Sequence, residues 1–271
     1  TGASSPLALP VANRAPVLQV VFSGSGLADW QDGMHGLSAR DIAMNVALPE
    51  VDGRIFSRAV SFKGSTTRDD LCETDIITYQ PVPDRISFTA RMAANWARLS
   101  TTKPADRRVA FILANYPNRD GRIGNGVGLD TAAGALVALR AMAAAGYTIE
   151  DLPDHGDDLI ARLAAGPTND TNNLKNQQAS ETLSLADYRI FFATLPEFMR
   201  RKMIKRWGSP EADPFMRCDG RFAIAAYRLG HVAICLQPAR GYNIDPTSSY
   251  HDPDLVPPHG YMAAYAWIRN E

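Results

Sequence analysis

The chain has 271 residues, 45% of them hydrophobic, and a formal net charge of −1. It is therefore long enough to bury a sizeable core in one large domain or two modest ones, and too nearly neutral for a general nucleic-acid binder. No apolar run is long enough to span a membrane, no signal-peptide pattern occurs, and the three cysteines lack CxxC spacing, which is typical of reduced thiols in a cytoplasmic protein.

Hydrophobic periodicity and capping residues predict the elements in chain order. Residues 1–16, rich in Pro, Ala and Ser, are expected to be an interdomain linker or the boundary of an excised domain. The predicted elements are a strand at 17–22, a Ser38-capped helix to 47, a strand at 54–62, an Asp84-capped helix at 85–99, a strand at 109–114, helices at 131–145, 154–165, 185–192 and 197–207, a hairpin at 222–236 and a helix at 260–269.

Strands that alternate with helices predict an α/β fold, with a mostly parallel sheet flanked by helices in Rossmann-like layers. We expect one domain at residues 17–271, or two lobes near 17–105 and 106–271. Residues 168–178 are rich in amides and are predicted to form an exposed loop.

The loop between the strand at 109–114 and the helix at 131–145 has the most informative pattern. It contains four glycines, and Asp130 can cap the helix that follows. Donors and acceptors gathered after a strand are how an α/β sheet builds a ligand site. The candidate substrate-binding residues of this loop are Asn115, Asn118, Arg119, Asp120, Arg122 and Asn125.

A dinucleotide site is an alternative interpretation of the same glycines. Gly124, Gly126 and Gly128 form G-x-G-x-G, and Glu150 lies about where a ribose-binding acid belongs. The turn from the strand to the first glycine should be tight, however, whereas residues 116–120 intervene, and the sequence has no GxxxxGK[ST] motif. A bound nucleotide is therefore disfavoured.

A second polar loop, residues 237–259, follows another apolar strand and adds Arg240, Asn243 and Asp245. We expect the two loops to lie side by side at the carboxyl edge of one sheet, because both follow apolar strands and both are rich in Arg, Asn and Asp. His251 and His259 are candidate metal ligands, and His259 is the better one because two prolines fix the chain that enters the last helix.

Basic residues are concentrated in the predicted helix at 197–207. Such a run could contact an acidic partner, although it is more often the solvated face of a helix, and we favour that interpretation.

Three long segments, residues 45–63, 107–147 and 237–267, closely resemble the family of aerobic cobaltochelatase large subunits (CobN type), and the H subunits of the related magnesium chelatase more loosely. The resemblance implies insertion of Co²⁺ into a corrin-precursor tetrapyrrole, hydrogenobyrinic acid a,c-diamide, in cobalamin biosynthesis. It also implies that ATP is used by AAA+ partner subunits of the CobS and CobT type. Because the family protein is several times longer, the implied ligase-type activity belongs to the full-length subunit, and the fragment alone is expected to be inactive.

Metal insertion requires ring N–H protons to leave, so a carboxylate and a neutral imidazole would help. Glu50 in LPEVDG and His259 in PPHG match positions of the family motifs, and the resemblance implies base or metal-delivery roles for both. The alternatives are a scaffold that only docks the ATPase subunits, and a magnesium-chelatase-like domain acting on a porphyrin.

Overall fold

A computed structural model describes residues 15–33, 35–115, 123–124, 126, 128–172, 174, 177–242 and 254–270. The chain divides into two compact units, Thr1–Thr102 and Lys103–Glu271. Within the described residues no helix has the length and apolar character needed to cross a membrane.

The first unit combines one sheet with short helices. Its elements are β1 (Leu18–Gly26), α1 (Leu27–Asp32), α2 (Ala39–Ile42), a π-helical turn (Ala43–Ala47), α3 (Leu48–Val51), β2 (Ile55–Asp69), β3 (Thr74–Pro81) and α4 (Pro83–Thr101).

The sheet of the first unit has the order β1-β2-β3, with β1 and β2 parallel and β2 and β3 antiparallel. Its small core is formed by Val21, Ala59 and Phe62, and the ring of Trp30 lies 5.3 Å from that of Phe62. The predicted strands are found, but β2 is longer than expected. Strand β3 was missed because none of its apolar side chains is buried.

The second unit is larger and alternates strands with helices. Its elements are a 3₁₀ turn (Pro104–Asp106), β4 (Val109–Leu113), α5 (Thr131–Ala144), α6 (Gly156–Ala165), β5 (Glu181–Ser184), α7 (Leu185–Ala193), α8 (Glu197–Trp207), a 3₁₀ turn (Pro210–Ala212), β6 (Arg221–Ile224), β7 (Ala226–Leu229), β8 (Val232–Leu236) and α9 (His259–Asn270).

The main sheet of the second unit has the order β4-β8-β7 and is covered by helices on both faces. The central strand β8 is buried throughout, and its residues alternate between two cores. Val232, Ile234 and Leu236 pack with α5 and α6, whereas Ala233 and Cys235 pack in the cluster that includes α7 and α9. Burying each of the larger side chains stabilises the fold by about 1.5–3 kcal/mol.

The α/β class is confirmed, and the pairings show that the sheets are mixed. Parallel pairing, which was expected to predominate, is found once in each three-stranded sheet, between β1 and β2 and between β4 and β8. The other described pairings are antiparallel. Strand β3 follows β2 directly and β8 follows β7 directly, so each pair forms a hairpin, and β5 pairs with β6 across a longer connection. Gly230 permits the tight β7–β8 turn with a φ of 64°.

Local capping signals were mostly predicted correctly. Ser38 Oγ accepts a hydrogen bond from the Asp41 amide, and Asp130 Oδ1 accepts one from the Ala133 amide. Asp84 is an exception, because α4 begins at Pro83, whose fixed φ suits the first position of a helix, and the cap residue Val82 contributes no side-chain bond.

Candidate functional site

The two polar loops begin next to each other at one edge of the main sheet. Strands β4 and β8 are parallel neighbours, with Leu113 opposite Leu236. The backbone amide of Gln237, the first residue after β8, donates to the Leu113 carbonyl oxygen at 2.9 Å. The described starts of both loops therefore lie at the same carboxyl edge, as predicted from the sequence.

Asn115 lies at the start of the first loop, two residues beyond β4, and is only 4% exposed. Its side-chain oxygen Oδ1 is buried and has no hydrogen-bond partner among the described residues. A buried amide oxygen without a partner costs about 1–3 kcal/mol, so it calls for an explanation such as a ligand. Asn115 is thus the predicted site residue whose geometry most favours binding.

A third segment reaches the same edge and was not predicted to do so. Asn169 is buried, and its Nδ2 donates to the Gln237 carbonyl oxygen at 2.8 Å. Thr168 is also buried, and its Oγ1 accepts from the Asp170 amide. The prediction that residues 168–178 form an exposed loop is therefore wrong for Thr168, Asn169 and Leu174, which are all buried.

The end of the glycine loop packs back onto the core. Ile123 is buried in the cluster that α5 and α6 form with the sheet. Gly124 has a φ of 68°, and a Cβ at this position would lie 3.4 Å from the terminal methyl of Ile160. Glycine therefore allows both the left-handed backbone and the close approach to α6.

Arg240 is described and half-buried, three residues beyond Gln237. The predicted residues that lie outside the described parts of the chain are Asn118, Arg119, Asp120, Arg122, Asn125, Asn243, Asp245 and His251.

His259 is fully buried at the first position of α9, with an exposed fraction of 0%. Its Nε2 lies 3.1 Å from the Gly208 carbonyl oxygen, which can only accept, so Nε2 donates. Its Nδ1 then accepts from the Tyr188 hydroxyl at 2.7 Å. Burial lowers the pKa of His259 below its ordinary value of 6.5, which favours this neutral form. A base or metal role for His259 stays a prediction, and it requires one of these two bonds to open.

Asp213 is a buried carboxylate that sequence reasoning missed. Its oxygens accept from the Gly260 amide at 2.9 Å, from the Phe215 amide at 2.9 Å and from the Tyr242 hydroxyl at 3.1–3.2 Å. Burial raises the pKa of Asp213, and the hydrogen bonds from these donors oppose that rise. Asp213 thus connects Tyr242, near the start of the second loop, to Gly260, at the start of α9.

Glu50 lies in the first unit, exposed to solvent in the short helix α3. Its backbone carbonyl accepts from the Gly53 amide, which closes the turn before β2. Among the described residues no group of three or more His, Cys, Asp or Glu side chains could hold a metal ion. Cys72 and Cys218 are exposed free thiols, and Cys235 is a buried one.

A mixed sheet between two helical layers, with polar loops that begin at one edge, defines an α/β domain, a class of fold that binds ligands at the carboxyl ends of its strands. Residues 6–271 match the family model described as CobN/Magnesium Chelatase. The chain belongs to the CobN/magnesium chelatase family.

Curated relatives and a solved structure agree with this membership. The chain is 54% identical to an aerobic cobaltochelatase subunit CobN from Sinorhizobium sp, over 95% of the chain and 20% of that protein. It is 48% identical to the Pseudomonas aeruginosa subunit CobN, over 96% of the chain and 21% of that protein. The catalytic subunit of cobaltochelatase from Mycobacterium tuberculosis superposes with a TM-score of 0.77 and 39% identity, over 94% of this chain and 21% of that one.

A more distant relative is a subunit of a magnesium chelatase. The H subunit of magnesium chelatase from Rhodobacter capsulatus is 27% identical over 90% of the chain and 21% of that protein. The chain therefore spans about a fifth of the length of the curated relatives it matches.

Proposed function

We propose that this chain is the part of a cobaltochelatase large subunit that binds hydrogenobyrinic acid a,c-diamide for Co²⁺ insertion in cobalamin biosynthesis. The observation that carries the proposal is the 54% and 48% identity to CobN subunits across nearly the whole chain. The activity is that of a ligase-type metal chelatase in the full-length subunit, working in the cytoplasm. The fragment alone is inactive in this proposal.

The chemistry of the carboxyl edge suits this substrate. A corrin precursor carries carboxylates and carboxamides on its periphery. The buried Asn115 Oδ1 can accept from a carboxamide N–H, and Arg240 can pair with a carboxylate in the bidentate manner that guanidinium groups favour. The other residues proposed to hold the substrate are Asn118, Arg119, Asp120, Arg122, Asn125, Asn243 and Asp245.

Insertion replaces the ring N–H proton of the corrin precursor by Co²⁺, the substrate metal, so a proton acceptor is needed beside the ring. Glu50 is proposed as this acceptor or as a metal-delivery ligand because it lies in the LPEVDG segment that resembles the family motif, and its carboxylate is exposed. His259, with His251, is the second proposed metal ligand, on the condition that the bonds to Tyr188 and Gly208 open. ATP is assigned to AAA+ partner subunits of the CobS and CobT type, since the chain has no GxxxxGK[ST] motif.

The test is an absorbance titration of the full-length subunit with hydrogenobyrinic acid a,c-diamide. Asn115→Ala and Arg240→Ala should each weaken binding about tenfold, because each removes one hydrogen-bonding or charge-assisted contact worth roughly 1.5 kcal/mol. Asn172→Ala is the matched control, since its side chain is exposed and bonds locally to Asp170. Unchanged affinity in both variants would show that the substrate does not bind at this edge. No titration signal in the parent would favour the alternative of a scaffold that only docks the ATPase subunits.

A magnesium-chelatase-like function is a second candidate because of the 27% identity to a magnesium-chelatase H subunit. A parallel titration with protoporphyrin IX distinguishes the two. Tighter binding of the porphyrin than of the corrin precursor would overturn the cobalt assignment in favour of the porphyrin one.

A further inference from the structure

Helix α8 concentrates positive charge that the proposed site does not use. It contains five basic residues against the single acid Glu197, in a chain whose net charge is −1. Three of the five have partners within the chain. Arg200 Nε donates to the Leu195 carbonyl oxygen, Arg201 lies 3.7 Å from Glu197, and the Arg206 guanidinium lies 5.1 Å from the ring centroid of Trp207. Among the described residues the other two, Lys202 and Lys205, form no ion pair, and neither does Arg206.

The charged face also contains an exposed aromatic side chain. Met203 faces the core, and the helical period of 3.6 residues places Phe198 beside Arg201, Lys202 and Lys205 on the opposite face. Phe198 is 57% exposed. Phe198 gives the cationic face one apolar contact point, which an apolar side chain of a partner can cover.

Residues 254–256 form a segment that lies beside this face. The Trp207 Nε1–H donates to the Val256 carbonyl oxygen at 2.8 Å, which holds this segment against the end of α8. The depression between the helix and the segment therefore has three cations on one side, and one acid followed by two apolar side chains on the other. Its lining residues are Lys202, Lys205, Arg206, Asp254, Leu255 and Val256.

We propose that the exposed face of α8 is a docking surface for an acidic protein segment with at least one large apolar side chain. Carboxylates would pair with Lys202, Lys205 and Arg206, while the apolar group would cover Phe198. A nucleic acid fits less well, since the chain as a whole carries a net charge of −1 and nucleic-acid binders carry a basic surplus. This inference rests on the proposed function, because the partner it assigns to the surface is an ATPase subunit of that function.

The test measures binding of the full-length subunit to its AAA+ partner subunits by titration calorimetry. Lys202→Glu/Lys205→Glu should weaken binding at least tenfold, and Phe198→Ser should weaken it severalfold with a smaller dependence on salt. The matched controls are Arg91→Glu/Arg98→Glu, which reverses two exposed charges on α4, and Leu71→Ser, which removes a side chain that is 98% exposed. Both controls should bind the partners as the parent does.

Equal weakening by both charge reversals would overturn the inference, because it would indicate a general electrostatic effect. Parental binding of the partners by the α8 variants would overturn it as well. Binding of a labelled 20-nucleotide single strand is measured on the same variants, and variants that lose this binding while keeping the partners would also overturn the inference. Loss of partner binding only in variants whose melting temperature is also lowered would overturn it too, because binding would then depend on the folding of α8 and not on its charges. A corrin titration of the same samples separates this inference from the proposed function, since α8 variants that lose the partners should keep parental corrin affinity.

Discussion

The hydroxyl of Tyr188 lies 2.7 Å from Nδ1 of His259, and this bond connects α7 to the first residue of α9. The other ring nitrogen bonds to Gly208 just beyond the end of α8, so one imidazole joins three helices in the interior. The ring of Phe192 lies 5.2 Å from the imidazole and completes the apolar surroundings. His259 in this arrangement holds the start of the last helix in place.

His259→Ala should lower the free energy of unfolding by about 3–5 kcal/mol, because it opens a cavity and leaves the buried Tyr188 hydroxyl without an acceptor. Urea denaturation measures this, and the exposed His155→Ala is the control, expected within about 0.5 kcal/mol of the parent. A His259→Ala variant with parental stability and a slowed insertion rate would instead support the base or metal role.

The same histidine predicts how stability depends on pH. Burial lowers the pKa of His259 in the folded protein below its ordinary value of 6.5, so the unfolded chain binds the proton more readily. The stability contributed by neutral His259 is therefore complete above pH 6.5 and is lost as the pH falls from there through the lowered folded-state pKa. Denaturation of the parent and of His259→Gln from mildly alkaline to mildly acidic pH measures this. The stability difference between them should shrink on acidification, and a constant difference would contradict the prediction.

Asp213→Asn should destabilise the second unit by about 1–3 kcal/mol. Each oxygen of Asp213 accepts from a backbone amide, Oδ1 from Phe215 and Oδ2 from Gly260, so an Asn would turn one N–H₂ group toward an N–H donor. Because Asp213 also accepts from the Tyr242 hydroxyl, the variant should be cleaved faster by protease between Tyr242 and Gly260. Cleavage at the parental rate together with parental stability would show that Asp213 does not hold the ends of this loop.

Gly260→Ala and Gly134→Ala should have opposite effects, although both glycines lie in helices. A Cβ on Gly260 would lie 2.5 Å from the Tyr242 hydroxyl and 3.0 Å from Asp213 Oδ1, so the bonds around Asp213 would have to shift, at a cost of about 1–3 kcal/mol. A Cβ on Gly134 would meet nothing within 4 Å, so alanine should stabilise α5 by about 0.5–1 kcal/mol. Thermal unfolding of both variants tests this, and a stabilised Gly260→Ala would contradict the packing around Asp213.

The features that the sequence predicted well are local. The caps at Ser38 and Asp130 depend on residues three positions apart, and the shared edge of β4 and β8 follows from two apolar strands that each precede a polar loop. The contacts of Asp213 and His259 join segments 47 and 71 residues apart, and no spacing rule predicts such pairs. Asn169 was missed for the same reason, because an amide-rich segment gives no sign of which carbonyl its buried member will meet.

Glu50→Gln should slow cobalt insertion by the full-length subunit with its ATPase partners, while leaving corrin affinity close to that of the parent. The carboxylate is exposed at the end of α3, so its replacement by an isosteric amide removes only a proton acceptor and a charge. A general base contributes about 10²–10⁴-fold to a rate, and a loss in that range is expected if proton removal limits insertion. Asp52→Asn is the neighbouring control, since its exposed carboxylate lies 3.9 Å from Arg54 in a weak surface pair. Insertion at the parental rate by Glu50→Gln would remove Glu50 from the catalytic proposal, and loss of corrin binding would move it to the residues that hold the substrate.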